Sequence, residues 1–320
     1  MDIFSGSSPE AVTIWAMDTA LLDLARTRGG LVTVPEVRRL GILPARLNRL
    51  SGSGRLVHVR RGAYALADVW TEASEVERYA LRTRAVLRTR PAVAASHHAA
   101  LVLAGLPVWA LPPDRIDVVD VAGTARRARG KAGLVVHPRP ARLEIVVDDH
   151  EDARVALTSA LVSLARDAPA AAFATALDQA LGAGLTTVDE MRSALDLEDT
   201  RTKWVRRAAE LLAGADPLSP GPEATRLRIL LRDLGFRPRL RVPLASRGRT
   251  VLRAELLVGS SIAVVRTAYP DRDRDRLREL GVTVAVVQDA DLDHPHRVAA
   301  ALAEAMRELD GLRLGRARGA

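Results

Sequence analysis

Arginine carries most of the chemistry open to this sequence. Of 47 basic residues only Lys131 and Lys203 are lysines, and the planar guanidinium fork is the side chain that best matches phosphate oxygens and the guanine edge. The arginines are unevenly spread. Residues 24–66 hold nine of them against one acid, Glu36, so this stretch carries a net charge equal to the +8 of the whole chain. Within it, Arg46, Asn48 and Arg49 fall on the polar side of a predicted helix. Arginine pairs with guanine and asparagine with adenine, so this trio has the types needed to read base edges in a major groove. Arg38 and Arg39 upstream suit phosphates better than bases. Arg60 and Arg61, at a predicted hairpin tip with Tyr64 just beyond, complete the candidate DNA contacts. A second run, Arg237 to Arg253, has six arginines and no acid.

Other chemistry finds less support. There are no cysteines, which removes disulfides, thiolate zinc sites and cysteine nucleophiles. His97 and His98 are adjacent, so on a helix their side chains diverge by about 100°; neither has an acid or cysteine at i+4, and a packing role is expected. Asp289, Asp291, Asp293, His294 and His296 lack the glycine and terminal glutamate of a calcium loop and read as the cap of the helix that follows. Ser159 and Ser163 lie outside any Gly-x-Ser-x-Gly setting. No cofactor and no metal is expected.

The elements that must position the arginines follow from the apolar pattern. Ile14 to Arg28 has helical periodicity ended by Gly29-Gly30. Thr33-Val-Pro-Glu36 is a capping box opening a short helix with Val37 and Leu40 inward and a stop near Gly41. Pro44 opens a third helix with Leu43, Leu47 and Leu50 facing the core. Arg55–Arg60 and Ala63–Leu66 are short β-runs joined at Arg61-Gly62. Three helices and a hairpin in this order predict a winged helix-turn-helix over residues 1–72. Residues 73–216 form a mixed α/β middle region, with helices near 73–88 and 96–104 and strands near 115–121, 133–137 and 143–147. Further helices cover 156–166, 170–181 and 203–212. Three prolines and a glycine between Pro217 and Pro222 mark a boundary. The remainder, 217–320, predicts α-β-β-β-α-β-α, a small α/β domain. The expected fold class is therefore α+β and multidomain.

The segments Gly30-Leu-Val-Thr-Val-Pro-Glu-Val37, Leu47-Asn-Arg-Leu50 and Gly54-Arg-Leu-Val-His-Val-Arg-Arg-Gly62-Ala-Tyr-Ala-Leu66 resemble the amino-terminal winged helix of the AbiEi family, antitoxins of type IV toxin–antitoxin systems. Ser96–Leu101, Gly105–Trp109 and Leu157–Arg166 resemble the middle part of such proteins. The resemblance implies a transcriptional regulator that binds its own promoter and counteracts a partner of nucleotidyltransferase fold. The last hundred residues resemble a restriction-endonuclease-like domain of the very-short-patch-repair type, through Ser219–Glu223, Leu252–Leu256 and Arg272–Gly281. That fold cuts phosphodiesters with two or three carboxylates around Mg²⁺, drawn from neighbouring strands. If the domain were active, Glu223 and Glu255 would be its acids. The next strand, Ile262–Ala268, brings neither acid nor lysine and puts Arg266 where an acid should be, and a guanidinium repels Mg²⁺. The resemblance therefore implies an inactive nuclease fold, with a Mg²⁺-dependent endonuclease as the alternative.

Composition narrows the remaining choices. A hydrophobic fraction of 48% is enough to bury cores, and 3% aromatics means those cores are built of Ala, Leu and Val. No window approaches eighteen apolar residues and the amino terminus lacks a basic leader, so a cytoplasmic chain without membrane contact is expected. Its expected partners are double-stranded promoter DNA and a nucleotidyltransferase-like toxin.

Overall fold

A computed structural model describes residues 9–140, 143–246 and 249–318. The chain forms two compact units, one of Met1–Leu106 with Ala110–Ser163 and one of Pro107–Trp109 with Leu164–Ala320. Both are mixed α and β.

The first unit opens with α1 (Pro9–Thr27), β1 (Leu31–Thr33), α2 (Val34–Arg39), α3 (Ala45–Gly52), β2 (Leu56–Arg60) and β3 (Ala63–Leu66). Gly30 ends the first helix in a left-handed conformation, φ +81°, and a Cβ there would meet Val69 Cγ1 at 2.8 Å, so only glycine fits. The start of α2 is fixed as its sequence predicts. The Glu36 carboxylate accepts from the Thr33 N–H and hydroxyl, both at 2.7 Å, satisfying a donor the helix itself cannot. The three strands pair antiparallel in the order β1-β3-β2, with Val32 opposite Tyr64 and Leu56 opposite Leu66. Leu21, Val37, Leu47, Leu50 and Leu56 close the core between helices and sheet; each such leucine contributes about 1.5–3 kcal/mol by leaving water.

Two expected core residues lie outside it. Leu40 is 54% and Leu43 75% exposed, while Ile42, at 7%, fills the space. The reason is where the helices stop. Leu40 is the residue that caps α2, and α3 begins only at Ala45, so helical spacing counted from Leu43 does not apply.

The unit continues through α4 (Ala67–Glu72), α5 (Glu75–Thr89), β4 (Val93–Ala95), α6 (His97–Leu103), β5 (Ile116–Asp120), β6 (Arg129–Lys131), β7 (Leu134–His137), β8 (Ile145–Val147) and β9 (Ala153–Val155) into α7 (Leu157–Asp167). Ser74 caps α5 reciprocally with Glu77. Leu81 and Ala85 of α5 pack on Leu31, Ala63 and Ala65, covering the second face of the three-stranded sheet. The later strands form one mixed sheet in the order β6-β7-β5-β4-β9-β8. The strands expected near 115–121, 133–137 and 143–147 appear as β5, β7 and β8; β4, β6 and β9, three residues each, are not among those expected.

The second unit holds α8 (Ala170–Gly182), α9 (Val188–Leu195), α10 (Lys203–Ala213), α11 (Pro222–Asp233), β10 (Pro238–Ser246), β11 (Arg249–Val258), β12 (Ile262–Arg266), α12 (Asp271–Glu279), β13 (Thr283–Val287) and α13 (Pro295–Arg318). The order α-β-β-β-α-β-α over its last hundred residues is the one the periodicity predicts. The strands line up as β10-β11-β12-β13, antiparallel except the last pair. A parallel pair needs a crossover, which α12 supplies. Leu256, Val264, Leu227 and Val298 pack on one face and Leu257, Val265 and Leu277 on the other, so β12 is apolar on both sides. A buried ion pair joins α8 to α11. Asp178 accepts from Arg228, from the Thr225 hydroxyl at 2.7 Å and from the Asp216 N–H at 2.8 Å. No helix among the described residues is long and apolar enough to cross a membrane.

Candidate nucleic-acid interface

The helix α3 presents its residues as an amphipathic helix must. Leu47 and Leu50 are buried while Asn48 and Arg49 are exposed on the other side. Asn48 does not stand alone: the Tyr64 hydroxyl donates to its Oδ1 at 2.7 Å. Tyr64 itself is only 8% exposed and belongs to the core. Its position therefore lets it fix the Asn48 amide but not reach outward.

The nine arginines of residues 24–66 divide by environment. Arg46 is half-buried and gives its Nε to Asp18 of α1 at 2.6 Å; this ties α3 to α1 and turns Arg46 away from the solvent side expected of it. Arg26 pairs with Asp23 at 2.8 Å and Arg28 with Glu151 at 2.8 Å. The Glu151 hydrogen bond raises the Arg28 pKa, against the opposing pull of burial. Arg60 is half-buried, its Nε without a hydrogen-bond partner, and burial together with the nearby Arg90 lowers its pKa. Arg38, Arg39, Arg49, Arg55 and Arg61 remain. All five are exposed, on α2, on α3 and its exit, and at the β2–β3 turn, and none forms an ion pair among the described residues. Arg55 was not singled out by sequence reasoning. It is expected at the head of the first β-run, but β2 begins only at Leu56, which leaves Arg55 exposed in the turn after Gly54.

This stretch is also the one a known family recognises. Residues 20–67 match the family model of transcriptional regulators described as AbiEi antitoxins. No curated protein matches the chain significantly. The match contains the positions of Arg38, Arg39, Arg46, Asn48, Arg49, Arg60, Arg61 and Tyr64.

In the second unit the two predicted acids meet the arginine that sequence reasoning set against them. Arg266, at the end of β12, donates its Nε to Glu255 Oε1 at 2.6 Å and its backbone N–H to Oε2 at 3.1 Å. Its Nη1 lies 3.8 Å from Glu223 and 3.6 Å from Asp289. Burial alone would lower the Arg266 pKa; the Glu255 hydrogen bond and the three carboxylates outweigh it and hold the pKa above its ordinary value. Both oxygens of Glu255 are thus engaged. Beside them a cavity of about 380 Å³ is lined also by Arg241 and Arg253.

Asp289 is a member that sequence reasoning missed. The cap reading of the Asp289–His296 cluster is corrected here: Asp289–Asp293 form their own 3-10 turn after β13, because α13 begins only at Pro295. Parallel pairing of β12 and β13 then brings Asp289 to Arg266, and Asp293 goes to Arg226 at 2.6 Å. His97 and His98 are both buried on α6. The His97 ring stacks against His137 at 4.3 Å, and His137 bonds Asp117 at 2.8 Å. Arg115 bonds the other Asp117 oxygen at 2.9 Å. Burial pushes the Asp117 pKa up, but the His137 hydrogen bond and the cationic neighbours prevail and leave it below the usual carboxylate range.

Proposed function

We propose that the chain is a DNA-binding transcriptional regulator of the AbiEi antitoxin kind, a cytoplasmic protein whose segment 1–72 is a winged helix-turn-helix. In this reading α3 enters the major groove, the β2–β3 hairpin is the wing, and promoter DNA is the primary partner. The observation that carries it is the set of five exposed arginines, Arg38, Arg39, Arg49, Arg55 and Arg61, none of them in an ion pair among the described residues. Positive charge left unpaired on a helix, its neighbour and an adjacent hairpin is what a duplex phosphate array attracts. Asn48 and Arg49 read bases, while Arg38, Arg39, Arg55 and Arg61 hold phosphates. Arg46 and Tyr64 act by holding α3 and Asn48 in place, and Arg60 contributes charge from a half-buried position. The exposed Leu40 and Leu43 offer apolar contact to thymine methyl groups.

The middle segment 73–216 and the restriction-endonuclease-like segment 217–320 hold a nucleotidyltransferase-like toxin or add phosphate contacts. Cleavage of DNA is disfavoured by the Glu255–Arg266 pair, since the carboxylate that would bind Mg²⁺ gives one oxygen to the Arg266 guanidinium and the other to the Arg266 backbone N–H. Fluorescence anisotropy of a labelled duplex from the region upstream of the gene tests the reading. Saturable binding stronger than to random duplex is expected, and binding indistinguishable from random duplex would reject it.

A further inference from the structure

We propose that a cavity in the first unit, bounded by the β2–β3 hairpin, α5 and strands β5 and β7, binds a small organic phosphate of about mononucleotide size. The cavity measures about 330 Å³, within the range of small-ligand sites. Four guanidiniums converge on it from three parts of the fold: Arg60 and Arg61 from the hairpin, Arg82 from α5 and Arg115 from the start of β5. Asp114 is the one acid in its wall.

Two of these arginines carry buried donors that nothing satisfies. The Nε atoms of Arg60 and Arg82 have no hydrogen-bond partner, whereas buried donors are paired in nearly all folded proteins. The groups are also held in place before any ligand arrives. Arg82 gives Nη1 to the Pro113 carbonyl at 2.6 Å and Arg115 gives Nε to Asp117 at 2.9 Å. Phosphate oxygens are the acceptors best matched to converging guanidinium forks. The charge of an anion would also offset the effects of burial and of the Arg90 repulsion that lower the Arg60 pKa. The floor is apolar, with Ile116 and Leu134, so the site suits a phosphate attached to a ring rather than inorganic phosphate alone. The proposal does not depend on DNA binding.

The test is titration of the full chain into N-methylanthraniloyl-labelled AMP, read by fluorescence, with competition by AMP, inorganic phosphate and adenosine. Saturable binding is expected, displaced by AMP, more weakly by phosphate, and at least about tenfold less well by adenosine, the loss expected when a charge-assisted contact is removed. Arg60→Gln and Arg82→Gln should each weaken binding by about tenfold, with Arg201→Gln, which is not among the residues lining the cavity, leaving it unchanged. Thermal unfolding confirms that each variant is folded, and the exposed Arg61→Gln replaces any that is not. Absence of saturable binding, equal competition by adenosine and AMP, or unchanged affinity in the glutamine variants overturns the proposal. So does loss of duplex affinity in Arg60→Gln and Arg82→Gln without any nucleotide binding, which would assign the cavity to the DNA backbone.

Discussion

Salt dependence of DNA binding gives the sharpest test of the interface, because the structure fixes how many charges can take part. Nine arginines lie in residues 24–66, but Arg26, Arg28 and Arg46 already have carboxylate partners and Arg60 is half-buried. Five remain exposed and unpaired among the described residues; Arg49 is assigned to bases, which leaves Arg38, Arg39, Arg55 and Arg61 for phosphates. Each phosphate neutralised on B-DNA contributes about −0.9 to the slope of log K against log salt, so the expected slope is roughly −3.6. Between 50 and 200 mM salt this amounts to a loss of affinity of about 150-fold. The assay is anisotropy of the labelled upstream duplex at five or six salt concentrations. Arg38→Ala with Arg39→Ala should bring the slope to about −1.8, removing two phosphate contacts, while Arg26→Ala should leave it where it was. A slope near zero would refute DNA binding through this surface. A slope that Arg26→Ala reduces as much as Arg39→Ala would refute the division of the arginines by their ion pairs.

Base reading separates from phosphate contact: Asn48→Ala or Arg49→Ala should cost about 1–3 kcal/mol on the specific duplex and little on random DNA, whereas Arg61→Ala should weaken both, as competition binding would reveal. Asp178→Asn removes the charge that neutralises buried Arg228 and should destabilise the second unit by about 3–5 kcal/mol in urea unfolding; a loss below about 1 kcal/mol, the worth of an exposed pair, would mean the pair is not buried in solution. Asp117 has a folded pKa below its unfolded one, so its ionised form stabilises the fold above the ordinary carboxylate range and this contribution fades as pH falls through the lowered value. Asp117→Asn should therefore flatten the acid limb of a stability-against-pH curve, and an unchanged limb would contradict the assignment. Supercoiled DNA incubated with the protein and Mg²⁺ or Mn²⁺ should stay uncut; cleavage abolished by Glu255→Ala would reinstate the nuclease reading.

Local rules in the sequence determined a good deal. The Thr33–Glu36 box, the glycines after α1, the two short β-runs of the hairpin and the succession of helices and strands in the last hundred residues all act over a few residues, where capping, φ preference and periodicity are decided without help from the rest of the chain. The charge of residues 24–66 and the conflict between Glu255 and Arg266 were legible for the same reason, since charge and residue type need no coordinates. What only the tertiary structure decided is which charges are already spent. Arg46 meets Asp18 across 28 positions, Asn48 meets Tyr64 across 16, and Asp289 reaches Arg266 only because β12 and β13 run parallel. Leu40 and Leu43 left the core because two helices ended where propensity does not fix an end. Partners far apart in sequence are chosen by packing of whole elements, and no period within one element records that choice.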